Sequence, residues 1–285
     1  MYRTLRKLIL FSLLLVTLFA LFIYQSTVIP LQDTLLSSDT DGADVIQCVT
    51  YSSTVPLDRH GNLDIAIWNI YKQQNDGWQN VLKQLADRTD LLLLQEATLS
   101  DDLKSSVLEL NEDWVLARAF IFAGEAVGVM NLSKGYPLST CAFRYAEPLI
   151  YYPKSLLVSY YKLSDSSQLL VVNIHSINFT LGLQDYQAQL NVVAAAMMEH
   201  HGPIIFAGDL NTWSDERAEY VVTMVQKAGL IEAVPRDDYR TTVFSQSLDH
   251  IFYRGLELVN TESIVTDSSD HNPLKAYFRL LKKIP

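Results

Sequence analysis

The stretch Pro203-Ile204-Ile205-Phe206-Ala207-Gly208-Asp209-Leu210-Asn211 runs apolar residues straight into a carboxylate and a carboxamide. Side chains alternate along a strand, which puts Asp209 and Asn211 on the face of Ile205 and Ala207. Polar groups in such a place are costly to bury without partners. The pattern recurs. Leu63–Ile70 reads as a strand with Asn69 in the parity of Leu63, Ile65 and Ile67. Leu91–Leu94 is apolar throughout, as in a strand buried on both faces, and leads into Gln95-Glu96, where Glu96 follows Leu92 and Leu94. Leu169–His175 aligns Asn173 and His175 with Leu169 and Val171. Ser247–Tyr253 carries Asp249, and Ser269-Asp270-His271-Asn272 opens a last strand ending near Leu280.

Helical patterns lie between these strands. Trp78, Val81, Leu82 and Leu85 recur at helical spacing, as do Tyr186, Leu190, Val193 and Met197. Ser100 and Ser214 stand where N-caps are expected, and Gly229 where a helix stops. Further strands are expected at Gly128–Leu132, Leu149–Tyr152 and Ser155–Leu163. One buried Asn or His is ordinarily a satisfied core group. Asn69, Glu96, His175, Asp209, Asn211, Asp249, Asp270 and His271 all sit at or beside strand ends, which points to one shared polar site. His250, next to Asp249, falls on the opposite face and reads as structural. Lys154 reads as a solvated lysine.

A chain of 285 residues, 49% hydrophobic and 19% charged, suits one large domain with a short appendage. The net charge of −10 and the absence of a Lys/Arg stripe argue against a tight, sequence-independent nucleic-acid binder. They do not exclude an enzyme that meets phosphates through a metal ion. Cys48 and Cys141 cannot form a thiolate metal site. Either they make one bridge in an exported domain or they are two unpaired small hydrophobes. Arg3, Arg6 and Lys7 precede an apolar run from Leu8 to Tyr24, interrupted only by Ser12 and Thr17. Residues 1–25 are therefore expected as an uncleaved signal anchor, with a cleaved signal as the alternative. Cations on one side only place the remainder across the membrane, in a periplasmic or extracytoplasmic position, with a cytoplasmic domain as the alternative. Residues 26–62, rich in Ser, Thr and Asp, read as a polar tether, and residues 63–285 as the catalytic domain.

Six strings stand in one order: WNI (Trp68–Ile70), LLQE (Leu93–Glu96), VNIH (Val172–His175), GDLN (Gly208–Asn211), SLDHIF (Ser247–Phe252) and SDHNPL (Ser269–Leu274). Together they resemble the endonuclease/exonuclease/phosphatase, or DNase I-like, superfamily. WNIYKQQ, VNIHSINFTLG and FYRGL further resemble its YafD-like bacterial branch. The resemblance implies an α/β fold: a four-layer sandwich of two mixed β-sheets flanked by helices, here with one N-terminal membrane-anchor helix. It also implies phosphate-ester hydrolysis by in-line attack of water, with the site where the strand ends of the two sheets meet.

Carried onto this chain, the resemblance makes Glu96 the principal Mg²⁺ ligand, with Asn69 beside it and Asp270 a further ligand; Mn²⁺ is an alternative ion. Asp209 orients or deprotonates the water, and Asn211 holds it or a phosphate oxygen. His271 contacts the phosphate while Asp249 fixes its ring and favours the imidazolium. His175 serves near the leaving group, as general acid or phosphate contact. Gly208 is expected to keep bulk away from substrate. The leading expectation is a Mg²⁺-dependent phosphodiesterase acting on nucleic acid. Lipid or small-molecule phosphates are the alternative substrates, and an inactive membrane-tethered binding module is a third reading. The membrane, through residues 8–24, and a phosphate ester are the implied partners, with no obligate protein partner.

Overall fold

Strands that are apolar on both faces need cover on both sides, and two packed sheets with outer helices supply it. The computed structural model describes residues 2–40, 42–52, 54–150 and 152–281. Among these, one sheet has nine strands. In spatial order they are Leu256–Ser263, Leu274–Leu280, Asn62–Asn69, Leu91–Thr98, Glu125–Ser133, Asp113–Phe122, Thr34–Ser37 and Val45–Ile46, with Thr27–Val28 also paired to Asp113–Phe122. The other has seven: Ile231–Glu232, Asp249–Arg254, Ile204–Asp209, Gln168–His175, Pro153–Lys162, Ser139–Ala146 and Cys48–Thr50. Asn62–Asn69 runs parallel to Leu91–Thr98, and Gln168–His175 parallel to Ile204–Asp209. Parallel neighbours finish at the same edge, so the polar ends of each pair emerge together.

Alternation divides the apolar residues between two environments. Leu63, Ile65, Ile67, Leu91 and Leu93 meet Leu169, Val171, Ile205, Ala207 and Ile251 between the sheets. Ala66, Trp68, Leu92 and Leu94 face outward onto Trp78, Leu82 and Leu85 of helix Trp78–Ala86 and Leu103 and Val107 of helix Asp101–Leu110. Leu170, Val172, Ile204 and Phe206 likewise meet helices Gln184–Glu199 and Asp215–Lys227 through Tyr186, Leu190, Val193, Met197 and Val221. Each such side chain contributes roughly 1.5–3 kcal/mol by leaving water. Ser100 Oγ accepts from Leu103 N–H and Ser214 Oγ from Arg217 N–H, capping two helices as expected.

Three departures from the sequence reading have local causes. The strand expected at Leu149–Tyr152 is the connection between Ser139–Ala146 and Pro153–Lys162, which pair antiparallel from Ala146↔Pro153. Pro148 lacks the N–H needed to continue the ladder, and residues 148–150 form a turn; Tyr151 lies outside the described residues. Strands Asp113–Phe122, Ser139–Ala146 and Leu256–Ser263 escaped the sequence reading. The first and third join neighbours through register shifts that interrupt the period of two, at Arg118/Phe120 and Leu258/Asn260.

The third departure concerns the segment read as a polar tether. It supplies strands to both sheets: Thr34–Ser37 pairs with Asp113–Phe122, and Cys48–Thr50 with Ser139–Ala146. Cys48 and Cys141 are opposite each other in that last pair and are disulfide-bonded, 93 positions apart in sequence. A cross-link closing a loop of that size restricts the unfolded chain strongly. Replacing both cysteines by alanine is expected to lower unfolding free energy by about 2–5 kcal/mol in urea titration, and reductant to lower the native protein to the same value.

Candidate active site

At one edge of the sandwich the ends of both parallel pairs face each other, and the polar contacts there cross from sheet to sheet. Asn69 Nδ2 donates to Asp209 Oδ2 (3.0 Å). His175 Nε2 lies 3.4 Å from the same oxygen and 3.7 Å from Glu96 Oε1. His271 Nε2 is 3.9 Å from Asp209 Oδ2, while its Nδ1–H donates to Asp249 Oδ2 (2.7 Å). The loop bearing His271 belongs to the nine-stranded sheet and is pinned there twice. Trp68 Nε1–H donates to His271 O (3.0 Å), and Ser269 Oγ–H to Asn69 O (2.6 Å).

Strand parity placed Glu96 with Leu92 and Leu94, on the helix-covered face. The structure corrects this. Pairing with Glu125–Ser133 shifts between Leu94 and Ala97, and Glu96 has φ +53°. A bulge inserts a residue and re-aims the side chain beside it, so Glu96 turns toward the opposite sheet. Tyr71, Lys72 and Gln73 follow one another at φ +53°, +52° and +55°. Left-handed conformations cost about 1–2 kcal/mol per residue for side chains with a Cβ, and this turn carries the Lys72 ammonium onto Glu96 Oε2. Lys154 Nζ lies 3.5 Å from Glu96 Oε1 and donates to His175 Nε2 (2.9 Å).

Lys154, read from sequence as solvated, is thus a member of the cluster, and Lys72 is a second cation that the sequence reading left unassigned. The signal for Lys154 was weak because it depends on which strands are neighbours. Lys72 stood in the WNIYKQQ string, but only the left-handed turn directs it inward.

Burial alone would raise the Glu96 carboxyl, yet the opposing pull of His175, Lys154 and Lys72 holds it at about 2. His175 is itself driven down to about 3, first by burial and then by the Lys154 charge. It is therefore neutral near pH 7, and the two lysines are the cations that keep Glu96 ionised. His271 behaves oppositely: burial would lower it, but Asp249 and Asp209 carry it to about 10, so the ring is an imidazolium.

Asn211 follows the end of its strand with φ +49°; its Nδ2 donates to Ser176 O (2.9 Å) and its N–H to Asp209 Oδ1 (3.0 Å). Asp270, next to His271, is exposed, and its Oδ1 accepts from Ser269 Oγ at 3.4 Å. Gly208 has a different role from the one expected. A Cβ there would lie 2.0 Å from Ile174 O on the adjacent strand, so the missing side chain admits a neighbouring backbone, not substrate.

Asp249 is supported from behind. Arg240 Nη1 donates to Asp249 O (3.1 Å) and to Glu232 Oε1 (2.7 Å), and His250 Nδ1 lies 2.6 Å from the same Glu232 oxygen. His250 occupies the face opposite Asp249, as its parity requires, stacked on Phe252 with ring centroids 5.4 Å apart.

Residues 66–271 match the Endonuclease/Exonuclease/phosphatase family. A UPF0294 protein of Vibrio vulnificus is 44% identical over 236 residues, covering 82% of this chain and 83% of its own. One from Photorhabdus laumondii is 42% identical over 218 residues, covering 76% and 83%. Among solved structures, the endonuclease/exonuclease/phosphatase from Beutenbergia cavernae matches with a TM-score of 0.59 at 16% identity, over 77% of this chain and 72% of its own. The human Nocturnin catalytic domain with bound sulfate anion matches with a TM-score of 0.59 at 14% identity, over 82% and 97%. Identities this low speak to the fold, and the fold is the two-sheet sandwich that the six strings implied.

The support behind Asp249 yields a pH test. Burial alone would raise the Glu232 carboxyl, but hydrogen bonds from His250 and Arg240 prevail and hold it below its ordinary 4.5. A carboxyl lowered on folding contributes stability that is complete above its ordinary value and lost as pH falls through the native one. Glu232→Gln is expected to cost about 1–3 kcal/mol at pH 7. Urea titrations across the acid range should show that gap closing as pH drops below 4.5.

Proposed function

Because the chain belongs to the endonuclease/exonuclease/phosphatase family, whose members hydrolyse phosphoric esters and generally use a divalent metal, we propose that it is a Mg²⁺-dependent phosphodiester hydrolase. One observation carries this reading: an ionised, half-buried Glu96 shares its oxygens with two ammonium groups, in the same cluster as the Asp209 carboxylate and the His271 imidazolium. A cation binder, a water-handling acid and phosphate-binding cations are what the reaction requires.

The donor set fits a divalent ion. Asp209 and Asp249 bring carboxylate oxygens within 4.8 Å of each other, beside the His271 imidazolium, which has no lone pair left for a metal, and buried Asp249 Oδ1 has no hydrogen-bond partner among the described residues. Glu96 already holds a cation, the Lys72 ammonium. In the proposed assignment Glu96 and Asn69 hold Mg²⁺, or Mn²⁺ in its place, with Asp270 as a further ligand reached from the exposed side. When bound, the metal neutralises phosphoryl oxygens and makes water more acidic.

Asp209, fixed by Asn69 and by Asn211 N–H, orients the attacking water and receives its proton. Asn211 holds that water or a phosphoryl oxygen. The His271 imidazolium, set by Asp249, and the ammonium groups of Lys72 and Lys154 meet the developing negative charge. Of the two roles expected for His175, proton donation requires a charge that burial and Lys154 remove. Its remaining role is the phosphate contact, made together with Lys154, which donates to His175 Nε2. The helix Leu5–Ser26 is long and apolar enough to cross a membrane. As an uncleaved anchor it sends the domain to the extracytoplasmic side, where the Cys48–Cys141 bond is chemically at home.

Two experiments bear on this function. With bis(p-nitrophenyl) phosphate, EDTA should abolish turnover and Mg²⁺ restore it, while Glu96→Gln and Asp209→Asn each lower kcat by about 10²–10³ or more with an unchanged melting temperature. Metal binding in calorimetry without any turnover would instead identify a binding module. For orientation, alkaline phosphatase fused after Pro285 should be active and green fluorescent protein at the same place dark; the reverse pattern would put the domain in the cytoplasm.

A further inference from the structure

A groove of about 810 Å³ starts at the catalytic cluster and ends at the N-terminal helix. Its lining joins Lys72, Glu96, Lys154 and His175, which contact one another, to an apolar set of Ile23, Phe120, Phe122, Ile150, Tyr152 and Phe179. We propose that this groove takes a phospholipid from the bilayer, its acyl chain along the apolar wall and its phosphate at Lys72 and Lys154. The proposal rests on the phosphodiesterase reading above and names the substrate class of that site.

Three observations select this occupant. The first is charge. Among the groove's described lining residues the lysines are Lys72 and Lys154, both against Glu96, and the other acidic lining residues are Glu125 and Glu147. One phosphate finds its counter-charges there. A nucleic-acid strand, which binds through a succession of phosphate contacts, would find none farther along the groove.

The second is continuity with the membrane. Ala123 N–H donates to Ser26 O (2.8 Å), Thr27 and Val28 pair with Phe122 and Ile121, and Thr27 Oγ1 lies 3.0 Å from Tyr152 OH. These contacts fasten the last turn of the apolar helix to the wall that carries Phe122 and Tyr152. Ile23, within the span, is itself part of that wall. The apolar end of the groove therefore opens where the helix leaves the hydrocarbon layer.

The third is exposure. Ile150 and Phe179 are 44% and 52% exposed, and Leu149 and Leu181 on the same two loops are 52% and 81% exposed. Large apolar side chains exposed on the two loops that bring Ile150 and Phe179 to the groove are expensive against water and suited to a bilayer surface.

The chemistry is that of the parent reading. A water oxygen bonds to phosphorus, one phosphorus–oxygen ester bond breaks, and the departing alkoxide takes up a proton equivalent to the one water loses. The products are a phosphomonoester and an alcohol, and no redox partner is needed.

The full-length protein, reconstituted with Mg²⁺ into vesicles of phosphatidylethanolamine and phosphatidylglycerol, is assayed for phospholipid cleavage by mass spectrometry. Parallel assays use bis(p-nitrophenyl) phosphate and plasmid DNA. Ile150→Glu and Phe179→Glu replace exposed side chains, and turnover of the soluble diester normalises each variant. Phospholipid is expected to be cleaved, and each substitution to lower the ratio of phospholipid to soluble-diester turnover by about ten- to a hundredfold, the worth of one buried apolar anchor. An unchanged ratio in both variants overturns the groove assignment. So does DNA cleavage with intact phospholipid, which leaves the phosphodiesterase reading standing and makes the substrate nucleic acid. Absence of metal-dependent turnover on all three substrates removes the parent reading and this one with it.

Discussion

Polar side chains buried in the seam between the two sheets must find their partners on the opposite sheet, and the rest of the architecture depends on that requirement. Asn173, fully buried, donates to Leu94 O (3.2 Å), Met130 O (3.1 Å) and Asn131 Oδ1 (2.9 Å), and accepts from Gln95 Nε2 (2.7 Å). All four of those partners belong to the other sheet. A buried polar group left unpaired costs about 1–3 kcal/mol, and in a network each loss exposes the next member. A slip of one residue in either sheet would break several of these bonds together. The seam therefore fixes how the sheets are aligned, and the catalytic cluster is its continuation toward solvent.

That alignment explains why strain gathers where it does. Regular strands would send Glu96 to the helices and Lys72 to solvent. A bulge and a left-handed turn reverse both directions, and the turn that bears this conformational cost sets Lys72 on Glu96. The result is a site whose members have divergent protonation preferences within a few ångströms. Glu96 is held ionised, His175 neutral and His271 charged, each by burial opposed or reinforced by particular neighbours. Ionised and neutral groups thus coexist in one cluster.

The segment before Asn62 is more than a leash. Its short strands extend both sheets, its cysteine is bonded to the smaller one, and the end of its apolar helix forms part of the groove that begins at Glu96. The apolar helix and access to the site thereby share one surface. A domain tethered by a flexible linker would meet its substrate in any orientation; this one presents a single rim.

Much of this was legible in residue order. Continuous apolar runs such as Leu91–Leu94 required two covered faces, which dictates a layered α/β fold, and side-chain parity correctly grouped Asn69, His175 and Asp209 with the residues of the inter-sheet core. Glu96 defeated the same logic because a bulge changes parity without a mark in the local sequence. Lys154 was passed over because an isolated lysine carries no periodic signal, and Gly208 was misread because the atom it makes room for, Ile174 O, is remote in the chain. The sequence by itself determined which residues are buried and which polar groups end the strands, since both follow from local alternation and the cost of burying polarity. Only the tertiary structure decided which of them meet, because the Asn69–Asp209, Glu96–Lys154 and His271–Asp249 contacts each join different sheets, and no local period records a distance across that seam.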